Sequence, residues 1–202
     1  MPRRRELERQ LTQLEGFIEP SASLEQYSTT PEIAASLIHT AALRGDLDRP
    51  VIDLGTGTGI LAIASSMMGA APVIGVDIDP QAIEVATHNA KEVEVDFVIG
   101  NIAQHPLCPD RKVTVVMNPP FGAQRPGADR PFLEVASSIA SVSYSIHNAE
   151  SDEFVRAFAA ERGGELTDAF ALELELPAQF EFHDRPIESI EAEAYRIDWH
   201  RH

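Results

Sequence analysis

The tetrapeptide Asn118-Pro119-Pro120-Phe121 sets a carboxamide oxygen beside a proline carbonyl, two hydrogen-bond acceptors that work without changing protonation. Such a pair suits an adenine amino group, a poor nucleophile because its lone pair is delocalised into the ring. Accepting both of its N–H bonds holds the nitrogen in line with an incoming methyl group and favours the pyramidal geometry of attack. The prolines stiffen the acceptors, and Phe121 offers an aromatic face for a base. Chemistry of this kind calls for no metal and no titrating general base.

Well upstream, the segment VIDLGTGTGI (51–60) places Asp53, Gly55, Gly57 and Gly59 between an apolar run and a helical one. Glycines there let the chain turn tightly and let a ligand press against the backbone near a helix N-terminus. Asp77 follows 22 residues after Gly55, at the end of the next apolar run, where an acid can grip a ribose hydroxyl pair. Loop and acid together point to a nucleoside-containing cofactor. The dinucleotide fingerprint is G-x-G-x-x-G, whereas this loop reads G-x-G-x-G after an acid. That spacing favours S-adenosylmethionine, which has no pyrophosphate to seat and carries an ammonium group for Asp53 to attract. NAD is the runner-up. Asn101, after the third apolar run, falls either against the adenine edge or in a turn that it caps.

These motifs need elements to carry them. VIDL (51–54), VIGVD (73–77), VDFVI (95–99) and VTVVM (113–117) read as strands, with helical patterns at 59–69 and 80–91 between them. Continuous apolar strands alternating with helices predict a parallel sheet covered on both faces. NPPF then sits at the carboxyl end of a strand, where open α/β sheets bind ligands. VSYSIH (142–147), AFALELEL (169–176) and SIEAEAYRIDW (189–199) are further strands, the last two alternating as antiparallel edge strands do. Residues 3–15 predict an amphipathic helix, and a second begins at Pro31 with Thr30 as its cap. The expected architecture is one doubly wound α/β domain over residues 50–202, with residues 1–49 as a helical extension packed on it.

Among 202 residues no apolar run approaches the ~18 residues that a membrane span needs. The N-terminus lacks an apolar signal core, and the one cysteine, Cys108, has no partner for a disulfide. A cytoplasmic, reducing setting is expected. Thirty-two acids face 16 bases for a net charge of −16, and only Lys91 and Lys112 are lysines. In dilute buffer that charge repels nucleic acid. In molar salt, where the Debye length is ~3 Å, it describes a halophile's solvent instead, and both readings stand. Arg3, Arg4, Arg5 and Arg9 crowd the first helix, either to meet RNA phosphates or as a solvated face. The seven histidines lack metal-ligand spacing; His147 either approaches the pocket or is simply packed, and His200 and His202 sit at the terminus.

Beyond the two motifs, LEQYSTTPEIAA, DLGTGTGILAIA, GVDIDPQAIEVATHNA, VVMNPPFGA, ADRPFLEVA, YSIH and LPAQFEFH occur in order. On these segments the chain resembles the methyltransferase-like-five family over nearly its whole length. The resemblance implies a seven-stranded, mostly parallel class I methyltransferase (Rossmann-like) sheet. It implies S-adenosylmethionine-dependent methylation of adenine N6 in small-subunit ribosomal RNA. It also implies that Gln26 and Thr29, either side of Tyr27, fold over the methionine end of the cofactor. Gly55, Thr58 and Ile60 would line the loop, Asp77 with Ile78 beside it would take the ribose, and Asn101 with Ile102 would contact the adenine. The family usually has Asp at the position of Asn101, and lysines where this chain offers Arg125 and Arg130. The acid-rich composition suggests an archaeal, halophilic member.

Members of the family are similar in needing a small zinc-binding activator protein, which implies a 1:1 heterodimer here. Independently, the 95–99 strand should lie at an apolar sheet edge, where Val95, Phe97 or Ile99 invites a cover. Three rival readings remain. Methylation of a glutamine amide in a translation release factor needs the same two acceptors, although Tyr is more usual there than Phe121. An NAD-linked oxidoreductase leaves NPPF unexplained, and a non-catalytic cofactor-binding scaffold leaves it unused.

Overall fold

A computed structural model describes residues 1–104, 109, 111–122, 127–177 and 187–199. Cys108, Arg125, His200, His202 and residues 178–183 of LPAQFEFH lie outside the described residues. Runs of Val and Ile make strands where the sequence predicts them: β1 (Val51–Leu54), β2 (Val73–Asp77), β3 (Asp96–Ile99) and β4 (Val113–Met117). Every residue of β1 and β4 is buried, as continuous apolar runs in a two-sided parallel sheet require. The N-terminal helices are α1 (Arg4–Leu11), shorter than the 3–15 expected, and α2 (Pro31–Leu43). Thr30 caps α2 by accepting from the Ile33 N–H at 3.4 Å. Between the strands lie α3 (Ile60–Met67) and α4 (Pro80–Asn89). Two further helices, α5 (Arg130–Ile139) and α6 (Asp152–Glu161), have no counterpart in the sequence reading. Each is ten residues long, so its apolar face repeats only twice or three times.

Three more strands, β5 (Ala140–Asn148), β6 (Gly164–Pro177) and β7 (Ile187–Trp199), complete a sheet of order β3-β2-β1-β4-β5-β7-β6. The first five run parallel, and β7 is antiparallel to both of its neighbours. One expectation needs correction here. The last two strands alternate like edge strands, but only β6 is an edge, because β7 inserts between β5 and β6. Its alternation comes from packing two unlike faces rather than from an exposed side. Ala192 and Ala194 join the core under α1–α3, whereas Tyr195, Ile197 and Trp199 join the core under α5 and α6.

Those two cores sandwich the sheet. Leu7 and Leu11 of α1 are fully buried among residues of α2, α3 and the strands, so the first helix shares the core of the sheet. A buried polar knot fastens the end of this region to the final hairpin. Asp46 accepts from Tyr144 Oη at 2.6 Å and from Arg196 Nε at 2.9 Å, and Arg196 also donates to Thr167 at 2.8 Å. With several partners each, these buried groups meet the requirement that a buried charge be paired.

The far edge differs from expectation in one respect. Val95 and Phe97 are partly buried against the core, and the Phe97 ring lies over Gly75 of β2. The exposed apolar residues of that strand are Val98 (39%) and Ile99 (57%). A charge at position 97 would therefore disturb the core rather than an outer face.

Candidate active site

The loop after β1 is shaped by what encloses it. Gly55 and Gly57 adopt φ of +69° and +53°, backbone that side chains disfavour. A Cβ at Gly55 would stand 2.8 Å from the Phe132 ring, and one at Gly57 would stand 2.9 Å from the Phe17 ring. Two aromatic walls thus flank a bare backbone. Phe17 lies outside every segment singled out in the sequence, and Phe132, although within ADRPFLEVA, reaches the loop only through the fold. Gly59 occupies the N-cap of α3 and faces Ala86 and Phe97, away from the cavity.

Asp53 is buried beneath this loop. Its Oδ2 accepts from the Thr56 hydroxyl at 2.6 Å and the Ala62 N–H at 3.0 Å. Its Oδ1 is buried with no hydrogen-bond partner among the described residues. Burial pushes the carboxyl up to about 7, against the downward pull of those two hydrogen bonds and with a small upward push from Asp77. Asp77 also lies above its ordinary value, chiefly through burial. It accepts from the Gly57 N–H at 2.8 Å and the Asp79 N–H at 3.0 Å. One carboxylate therefore ties the glycine loop to the start of α4, with lone pairs left for hydroxyl donors.

Residues 15–29 roof the cavity, held down at both sides. On the cofactor-loop side, the Glu15 N–H donates to Asn89 Oδ1 at 2.9 Å, and Gln26 Nε2 donates to Asp79 Oδ2 at 2.7 Å. On the NPPF side, the Gly122 N–H donates to Glu25 Oε2 at 2.9 Å. Glu25 is buried and holds a φ of +50°, a backbone position uncommon outside glycine and asparagine. Asn118 Nδ2 donates to Thr29 Oγ1 at 2.9 Å. That bond fixes the amide orientation and leaves Asn118 Oδ1 buried without a partner among the described residues.

The resulting cavity measures about 480 Å³. Gln26, Tyr27, Thr29, Asp53, Gly55, Gly57, Thr58 and Ile60 line it, as do Asp77, Ile78, Asn101, Ile102, Asn118 and Pro120. Gly59, Pro119 and Phe121 do not, and Phe121 is partly buried against the core on the α1–α3 side. Asn101 lines the cavity, and its Oδ1 caps the following turn by accepting from Ala103 N–H at 3.0 Å. His147 is packed: it is buried at the end of β5, with Nδ1 3.4 Å from Asp129 Oδ2 and Nε2 without a hydrogen-bond partner among the described residues. Arg130 pairs with Glu134 at 3.3 Å. Phe17, Glu25, Phe132 and the Thr29 contact to Asn118 are what sequence reasoning missed, since each depends on segments distant in the chain.

Comparison with known proteins agrees with this geometry. A family model described as ribosomal protein L11 methyltransferase (PrmA) matches residues 29–118. Over 96% of its length the chain is 33% identical to the rRNA N(6)-adenosine-methyltransferase METTL5 of Danio rerio, covering 97% of that protein. It is 34% identical to the Mettl5 enzyme of Drosophila melanogaster, over 96% of this chain and 95% of that one. The solved structure of PH1948 from Pyrococcus horikoshii, provisionally described as an RNA methyltransferase, matches with a TM-score of 0.89 at 38% identity and covers 98% of each chain. Sheet order, loop and relatives define a class I S-adenosylmethionine-dependent methyltransferase. Within that class, the chain belongs to the METTL5 family. The residues fit its cofactor, because Asp53 Oδ1 is a buried acceptor lacking a partner among the described residues and the glycine loop leaves its backbone bare.

The Asp53 environment makes stability depend on pH. The unfolded carboxyl releases its proton near 3.8, whereas folded Asp53 keeps it to about 7. Between those values the folded state binds the extra proton, so stability falls as pH rises and then levels off. Denaturant titrations across that window should show the decline in the wild type and a flattened profile in Asp53→Asn. A variant with the wild-type slope would place the proton elsewhere.

Proposed function

We propose that this enzyme transfers the methyl group of S-adenosylmethionine to adenine N6 in small-subunit ribosomal RNA. The observation that carries the reading is Asn118 Oδ1, an acceptor held out of solvent without a partner among the described residues, in an amide turned by Thr29, with the Pro119 carbonyl next along the chain. An unpaired buried acceptor costs about 1–3 kcal/mol, and an incoming N–H donor relieves that cost. The activity named for the Danio and Drosophila relatives supports adenine as the bearer of that donor.

In this reading the bound cofactor supplies an electrophilic methyl group. Asp53 meets its ammonium group, Gln26, Tyr27 and Thr29 cover its methionine end, and the 55–60 backbone passes along it. Asp77 beside Ile78 takes the ribose, and Asn101 with Ile102 takes the adenine. Asn118 and Pro119 accept the two amine hydrogens of the target, while Pro120 and Phe121 stiffen and flank that clamp. As the nitrogen takes the methyl group it becomes cationic. The two acceptor oxygens stabilise that charge, and water takes the surplus proton.

Asn118→Ala should leave S-adenosylhomocysteine affinity near the wild-type value and lower kcat by about 10²–10³-fold, the scale for losing one preorganised polar group. Nucleoside mass spectrometry of ribosomal RNA from cells with and without the gene checks the substrate. Unchanged N6-methyladenosine alongside lost methylglutamine in a release factor would transfer the reading to the amide rival.

The same reading gives the enzyme a small zinc-binding activator as a 1:1 partner. Support comes from β3, which among the described residues pairs only with β2 and leaves Val98 and Ile99 exposed. Ile99→Asp should reduce copurification of the activator without lowering the melting temperature. Equal recovery with both proteins would argue against that edge.

We also read the net charge of −16 as adaptation to the salty cytoplasm of a halophilic archaeon. None of the described helices is long and apolar enough to cross a membrane. The melting temperature should rise between about 0.1 M and 1 M salt as self-repulsion is screened. A flat or falling curve would count against the adaptation.

A further inference from the structure

Four of the 16 basic residues fall within the first nine positions of this acidic chain. Leu7 and Leu11 turn one face of α1 into the core, which leaves Arg3, Arg5 and Arg9 exposed. Other arginines are spoken for by acids: Arg44 by Asp168, Arg130 by Glu134, Arg156 by Asp152 and Arg196 by Asp46. On α1, Arg4 reaches Glu8 at 3.7 Å, but the guanidinium groups of Arg3, Arg5 and Arg9 form no ion pair or hydrogen bond among the described residues. Arg4, Arg5 and Arg9 line an open groove of about 320 Å³ together with Glu8, Thr12 and Glu32.

The position of that groove matters as much as its charge. Glu32 lies in the first turn of α2, three residues after Thr29, whose hydroxyl holds Asn118. Three residues span at most ~11 Å, so the backbone of Glu32, on the groove's wall, lies within that reach of Thr29 in the roof of the acceptor clamp. We propose that it holds the phosphodiester backbone of the RNA strand flanking the target base. This rests on the RNA reading above and adds to it the surface that seats the strand. Guanidinium groups offer forked donors that match phosphate oxygens, and such contacts fix register without reading sequence. Glu8 and Glu32 repel phosphate, which moderates affinity and lets a product strand leave.

The test compares wild type, Arg5→Gln/Arg9→Gln and Arg5→Lys/Arg9→Lys, titrating a labelled single-stranded RNA between about 0.1 M and 1 M salt. Each phosphate contact to a single strand contributes about 0.7 to the slope of log affinity against log salt. The Gln variant should lose about 1.4 from that slope, giving a gap of about 25-fold at about 0.1 M that closes toward 1 M. Its KM for RNA should rise, while kcat and S-adenosylhomocysteine affinity stay put. The Lys variant should keep the wild-type slope. Equal slopes for wild type and Gln variant overturn the proposal, as does a Lys variant that loses as much as the Gln one. A wild-type protein that binds no RNA at any salt instead removes the RNA reading itself, and the groove's role with it.

Discussion

Parallel pairing of β1 with β4, from Val51 against Thr114 to Leu54 against Met117, is the constraint that the rest of the molecule serves. The two strands run together and end together. The chain therefore leaves β1 at Gly55 and β4 at Asn118 side by side, although the two motifs lie far apart in sequence. Strand order also reverses at this point, with β2 and β3 on one side and β5 on the other, so the connecting helices diverge and leave a crevice. A slip of one residue would turn every side chain to the opposite face. Asp53 would then face away from α3 and lose Thr56 and Ala62.

Burying both faces of the sheet leaves few places for polar atoms without partners. Among the described residues five such atoms occur, and four of them, Asp53 Oδ1, Asn118 Oδ1, Ser145 Oγ and His147 Nε2, lie toward the carboxyl ends of β1, β4 and β5. The fifth, Asp168 Oδ2, is on β6, in a carboxylate whose other oxygen pairs with Arg44. Such groups are costly and concentrate where structure serves function. The same end of the sheet carries the cavity. Away from it, the buried Asp46, Tyr144 and Arg196 satisfy one another, as a purely structural polar cluster must.

The N-terminal region is part of the site as well as of the core. Its helices bury Leu7, Leu11, Ile33 and Ile38, and the segment between them forms the roof. Thr29, Glu25 and Gln26 each reach a different element, namely the NPPF turn, the loop after it and the start of α4. Cofactor loop and acceptor clamp are thereby fastened through one short piece of chain. A membership in the METTL5 family and a PrmA match confined to residues 29–118 fit this division, since that stretch holds the cofactor loop and ends at Asn118.

The sequence by itself determined the strands β1 to β4, the cap of α2, the glycine loop, Asp77 and the NPPF turn. These are local matters: β-branched runs, capping residues and motif spacing carry their own physical reasons within a few residues. Tertiary structure alone decided that β7 lies inside the sheet, that Phe97 faces the core, and that Phe17 and Phe132 wall the glycine loop. It also decided that Thr29 turns the Asn118 amide and that Asp53 keeps its proton to about 7. Each of these depends on which distant segment packs alongside and how much water it excludes. Alternation tells a strand that its two faces differ, but only the packed neighbours say what lies on each side.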